Sequence, residues 1–119
     1  MPFSEIQCDY SNVRTSAHDH LYKVDVDVLT VTAREYAESL RAPITVIVDA
    51  NGCEFITNGA RLAFAELAQM RCIVSLIIAA DDRLMMQTLR TIQMISEPGR
   101  IRVCENITQA LAMSAPASV

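Results

Sequence analysis

The chain has 119 residues, a hydrophobic content of 51% and a formal charge of −4. Area scaling gives such a chain roughly 19,000 Å² of surface unfolded and roughly 6,400 Å² folded, so one domain can bury a core without metals or cross-links. Composition excludes a disordered or collagen-like chain, and a pI of about 5.0 argues against nucleic acid or an anionic membrane as the main partner. With 3 Phe, 3 Tyr and no Trp, the core has to be aliphatic. The longest apolar runs, 44–48 and 73–80, fall well short of the ~20 residues that span a bilayer. The N-terminal residues have no basic flank or apolar core, which argues against a signal peptide. Cys8, Cys53, Cys72 and Cys104 are far apart and form no Cys-x-x-Cys, so they read as free thiols in a reducing compartment. A cytoplasmic, soluble protein is expected.

In chain order, residues 3–9 read as extended. Residues 20–28 put Tyr22, Val24, Val26 and Val28 on one face and Lys23, Asp25 and Asp27 on the other, the period-two pattern of a half-wet strand. Thr32 and Glu35 have the spacing of a capping box, which predicts a helix to about Arg41 with Tyr36, Ala37 and Leu40 inward, stopped by Pro43. Residues 44–48 are apolar on both faces, as in a covered parallel strand, and 49–52 read as a turn. A helix over 58–70 buries Ala60, Ala63, Phe64, Leu67 and Ala68. Residues 72–78 form another covered strand. Asp81 or Asp82 caps a helix to about Ile95 with Met85, Leu89 and Ile92 inward. A short strand over 101–104 follows the turn at 97–99, and Asn106 with Gln109 resembles a second capping box opening a last helix through Met113. The tail at 114–119 is small and reads as frayed. The expected fold is a single α/β domain of order β-β-α-β-α-β-α-β-α: a mixed, mainly parallel sheet, with right-handed crossovers after an N-terminal hairpin. The apolar strands at 44–48 and 73–78 should be adjacent, parallel and central.

This order, together with a strand ending in Asp49, Asn51 and Gly52 and then Phe55 and Ile56, resembles the STAS domain. That is the fold of bacterial anti-sigma-factor antagonists and of the cytoplasmic tails of sulfate transporters. The resemblance covers roughly residues 20–113. Phosphorylated antagonists carry Asp-Ser-Ser-Gly after the Phe-Ile pair, and their second Ser takes the phosphate. Here Thr57, Asn58, Gly59 and Ala60 follow, so Gly59, or Asn58 with one deletion, falls where that Ser stands. The chain is also similar to a looser STAS-like bacterial group related in fold to CRAL-TRIO lipid binders, which Arg61 fits.

Several residues stand out as candidate sites. Asp49 ends a covered parallel strand, where α/β proteins place ligands, and with Asn51, Thr57 and Asn58 it is expected to form a polar cluster at one end of the sheet. Arg61 joins this set as a partner- or ligand-binding candidate. The structural alternative is that Asp49 and Asn51 bond turn amides while Thr57 or Asn58 caps the following helix. Thr57 is the only hydroxyl between Phe55 and Arg61 and hence the phosphorylation candidate. His18, Asp19 and His20 could offer two imidazoles and a carboxylate to a metal, but no other His exists in the chain, so a solvated strand start is the expectation and no metal or other cofactor is called for. Met86 and Met94 could form a soft surface patch. There is no phosphate loop and no nucleophile–base constellation. The expectation is a non-enzymatic, STAS-like regulatory module that docks a protein partner, with a homodimer also open to it. The alternative is a small-ligand or lipid-binding module with an apolar pocket between helices and sheet.

Overall fold

The computed structural model describes Phe3 and residues 5–114. Its elements are β1 (Gln7–Asp9), β2 (Asn12–Leu21), α1 (Lys23–Leu40), β3 (Ile44–Ile56), α2 (Asn58–Ala68), β4 (Ile73–Ala79), α3 (Arg83–Met94), β5 (Ile101–Cys104) and α4 (Ile107–Ser114). The sheet order is β1-β2-β3-β4-β5. β1 and β2 form the expected antiparallel hairpin, and every later pairing is parallel. Because each crossover moves the chain one strand further in the same direction, right-handed connections put α1, α2 and α3 on one face. The main core lies there, with Leu29, Phe64, Leu67 and Leu89 fully shut from solvent. α4 covers part of the other face, over Ile47, Ile77, Ala79 and Cys104. The runs at 44–48 and 73–78 are neighbours, parallel and away from both edges.

Two assignments change. The hairpin's second strand is Asn12–Leu21, and residues 23–28 open an 18-residue helix instead of forming a strand. The valine alternation is real, but only Val26 of that set is buried, and with Leu29, Ala33 and Ala37 it makes a helical stripe. The helix start is fixed locally, because Asp25 Oδ2 accepts the Tyr22 N–H at 2.9 Å and Lys23 pairs with Asp27 one turn on. The Thr32 hydroxyl, expected to cap, instead donates to the Val28 carbonyl inside the helix. The helix ends as Pro43 requires, at Arg41 in the left-handed region (φ 55°), but Leu40 is exposed rather than inward. The true β2 carries few apolar residues. Small Thr15 and Ala17 bury beside Val13 and Leu21, and the strand is held by neighbours on both sides rather than by a strong pattern of its own.

The second change is at 49–52. These residues continue the strand, and β3 runs on to Ile56. β3 leaves β4 after Asp49 pairs with Ala79, yet it stays with β2 to the pair Leu21 and Ile56. The two strands therefore project beyond the sheet as a parallel ribbon, shifted in register around Ala17 and Asp19. Ser114, placed in the frayed tail, closes α4 with its Oγ on the Leu111 carbonyl; 115–119 lie outside the described residues. The remaining helices match. The five expected positions of α2 are buried, as are Met85, Leu89 and Ile92 of α3. Asp82 accepts Met85 N–H at the head of α3, and Asn106 accepts Gln109 N–H at the head of α4. Among the described residues no helix is long and apolar enough to cross a membrane.

Candidate functional site

The five candidate residues fall into two groups. Asp49 and Asn51 sit where β3 leaves the sheet, and Thr57, Asn58 and Arg61 sit beyond the ribbon at the start of α2. Six steps of extended chain from Asn51 to Thr57 span up to about 20 Å, so the single polar cluster expected from sequence is divided.

At the first group, Asn51 ties three segments together. Its backbone N–H donates to Asp49 Oδ1 at 3.1 Å, its Oδ1 accepts Asp81 N–H at 2.8 Å, and its Nδ2 donates to the Glu105 carbonyl at 3.2 Å. One amide side chain thus pins the loops after β4 and β5 to the departing β3. Asp49 is half-buried, and its charge adds to the burial that pushes the nearby Cys104 thiol up. These bonds leave Asn51 a structural clamp.

At the second group, Thr57 is the N-cap of α2, with Oγ1 accepting Ala60 N–H at 3.2 Å. Its own N–H donates to the Leu21 carbonyl, which joins ribbon end to helix start. Arg61 Nε donates to the Ile56 carbonyl at 3.2 Å, leaving the far end of the guanidinium for other acceptors. A Cβ at Gly59 would meet Lys23 Cβ at 3.2 Å. Gly59, one of the two positions that the sequence offers against the antagonists' phosphoserine, is therefore pressed against the head of α1.

Asn58 and Arg61 line one side of an open groove of about 290 Å³, with Leu62; Thr91 and Ile92 of α3 and its C-cap Ile95 line the other. Leu84, Thr88, Thr91 and Ile95 follow one another at helical spacing, so they share the α2-facing flank of α3. Leu62, Leu84 and Ile95 are all more than half exposed. Sequence reading passed over these three. The i, i+4, i+7, i+11 spacing on α3 was the available signal, but it looks like ordinary core until the sheet shows which flank is covered. Of the methionines, Met86 packs against the core and Met94 stands alone in solvent, so they form no joint patch.

The His18-Asp19-His20 motif lies on the ribbon. Asp19 takes φ 57° and the register shifts beside it. His18 Nδ1 lies so close to Gly52 that a Cβ there would come within 2.8 Å. His20 meets Phe55 edge-on, with ring centroids 6.1 Å apart, and its Nε2 is 3.9 Å from Glu54. Among the described residues no three His, Cys, Asp or Glu side chains gather to hold a metal.

No known family profile matches the sequence, and no curated protein does. A solved structure nevertheless shares the fold. An uncharacterized protein of the DUF3478 family with a SpoIIAA-like fold, from Shewanella loihica PV-4, superposes with a TM-score of 0.64 over 95% of this chain and 90% of that one, at 16% identity. The fold is SpoIIAA-like. That is the anti-sigma-antagonist, or STAS, architecture the motif around Asp49 resembled. In this SpoIIAA-like chain the region at the ribbon end and the head of α2 combines a capped helix start, a guanidinium held by its Nε alone and exposed aliphatic side chains.

Proposed function

We infer that this domain is a non-enzymatic, cytoplasmic interaction module, of the kind anti-sigma-factor antagonists represent, and that it docks a protein partner on the head of α2 and the α2–α3 groove. The observation that carries the reading is that Leu62 and Ile95 line opposite sides of that groove while 58% and 52% exposed. Exposed aliphatic side chains around a concave, largely apolar groove are what a partner's side chain fills. The free end of Arg61 asks that partner for a carboxylate. The partner is therefore expected to bring an apolar side chain next to an acidic one. The four unpaired cysteines suit a reducing compartment. The alternative, a lipid or small-ligand module with an apolar pocket between helices and sheet, has less support, because Leu29, Ile56, Phe64 and Leu67 fill that interface with no exposed surface beyond 1%.

Site-specific photocrosslinking in the native host tests this reading. A photoreactive residue at Leu62 should trap a partner that one at Val74, equally exposed on the β4 side (56%), does not. Arg61→Glu should abolish the Leu62 crosslink while leaving the melting temperature near wild type. Equal trapping at both positions, or none at Leu62, overturns the reading.

A further inference from the structure

The second face of the sheet is covered unevenly. α4 packs over the β3–β5 side, which leaves the hairpin side open. There, Gln7 pairs directly with Arg14, and alternation puts Ser16 on the same face one step along β2. Glu5 and Ile107, the first residue of α4, complete the rim of a cleft of about 270 Å³. Arg14 is the one cation among the cleft's lining residues. Its Nε is buried with no hydrogen-bond partner, and the ion pairs among the described residues all involve other side chains. A guanidinium N–H withdrawn from water and left without an acceptor is rare and costly in folded proteins; Arg14 as a whole is only half-buried, so a ligand in the cleft would meet the terminal nitrogens of the fork and its charge would offset the cost at Nε. Guanidinium presents a planar fork matched to carboxylate or phosphate. Glu5 on the same cleft decides between them: it repels a dianion and leaves an acceptor for a cationic or N–H donor, as does the Gln7 amide oxygen. The volume lies just under the range of drug-sized sites, which calls for a small metabolite.

We propose that the cleft between the β1–β2 hairpin and the head of α4 binds a small neutral amino acid, its carboxylate on the Arg14 guanidinium and its ammonium on Glu5 and Gln7. The site lies across the sheet from α2 and α3, so it is independent of the docking groove, and its failure would leave that reading standing.

The full-length chain, labelled with ¹⁵N, supplies the test. The Arg14 Nε–Hε signal is assigned by its loss in Arg14→Lys, and the protein is titrated into the millimolar range with glycine, L-alanine, L-serine and β-alanine, with acetate and methylamine as single-charge controls. At least one amino acid should shift that signal saturably, and acetate and methylamine should each bind at least tenfold more weakly, since each satisfies half the site. Glu5→Gln should weaken the amino acid at least tenfold and leave acetate unchanged or tighter. Arg14→Lys should weaken both, by loss of the fork, as read from the backbone amides of Gln7 and Ser16. The backbone spectrum of each variant shows that it is folded. An unmoved Nε–Hε signal with all four amino acids overturns the proposal, as does acetate binding as tightly as the best of them, or an affinity for amino acid indifferent to Glu5→Gln.

Discussion

At Thr57 a single oxygen has two competing roles, and its geometry favours structure. Oγ1 accepts the Ala60 N–H, one of the orphan donors of the first turn of α2. Thr57→Ala should lower stability by about 1 kcal/mol, and Thr57→Asp should keep most of it, because Asp also caps and suits the positive end of the helix dipole. Urea melts of the three proteins check this; an Ala variant as stable as wild type would remove the cap from the account. Thr57 is also the remaining candidate for a phosphate in this stretch. Phosphate there would meet a favourable dipole, so it would act on a docked partner rather than unfold the domain. Asn51 shows why residue types alone mislead. An Asn beside an Asp at a strand end reads as a ligand site, yet here its side chain is spent on Asp81 and Glu105, two loops that only the fold brings within its reach.

At the scale of elements, the instructive segment is 22–28. Its valines alternate as a strand would require, and the same residues form the first turns of α1. The reason is geometric: a parallel pair needs a long crossover, and α1 supplies it between β2 and β3. Burial of Val26, Leu29, Ala33 and Ala37 then outweighs the β preference of the exposed valines. This has a measurable consequence. Val24 is 65% exposed, so Val24→Ala trades a poor helix former for the best one and should stabilise the protein by about 0.5 kcal/mol. Were the segment a strand, the same change would destabilise it, and chemical denaturation distinguishes the two signs. The ribbon of β2 and β3 is the other element with a consequence. By running past β4, it carries the head of α2 away from the Asp49 end of the sheet and separates two groups that sequence proximity joins.

For the whole molecule, the two faces of the sheet differ in how they are closed and how they respond to pH. Burial pushes the thiols of Cys53, on the α1–α3 side, and Cys104, under α4, up from the ordinary 9.0. In each case burial outweighs hydrogen bonds with backbone groups that pull the other way. A thiol that ionises later in the folded state than in the unfolded one leaves stability whole below the unfolded value. That stability is lost as pH rises through the folded value, because the unfolded chain releases its proton first. Urea midpoints should therefore hold to about pH 8 and fall beyond about pH 9, and Cys53→Ala with Cys104→Ala should flatten the fall. A decline of the same steepness in the double variant would assign it to other groups.

What the sequence determined by itself was everything carried by strong local signals. The doubly apolar runs at 44–48 and 73–78 suit covered strands, the stripes of α2 and α3 suit a core-facing side, and Asp81 or Asp82, Asn106 and Pro43 set helix limits within reach of their own backbones. Those signals are short-range, and they sufficed for the order of elements from β3 onward and for the SpoIIAA-like architecture. The tertiary structure decided whatever depended on neighbours distant in sequence. β2 is a strand because β1 and β3 flank it, not because Asn12–Leu21 has a strand's pattern; α1 is a helix along its whole length because the crossover and the core demand it. Asn51 became a clamp, and Arg14 Nε a buried donor without an acceptor, through contacts, or their lack, with residues from other strands and loops. Hydrophobic periodicity is written along the chain, whereas the satisfaction of polar groups is settled only when distant segments meet.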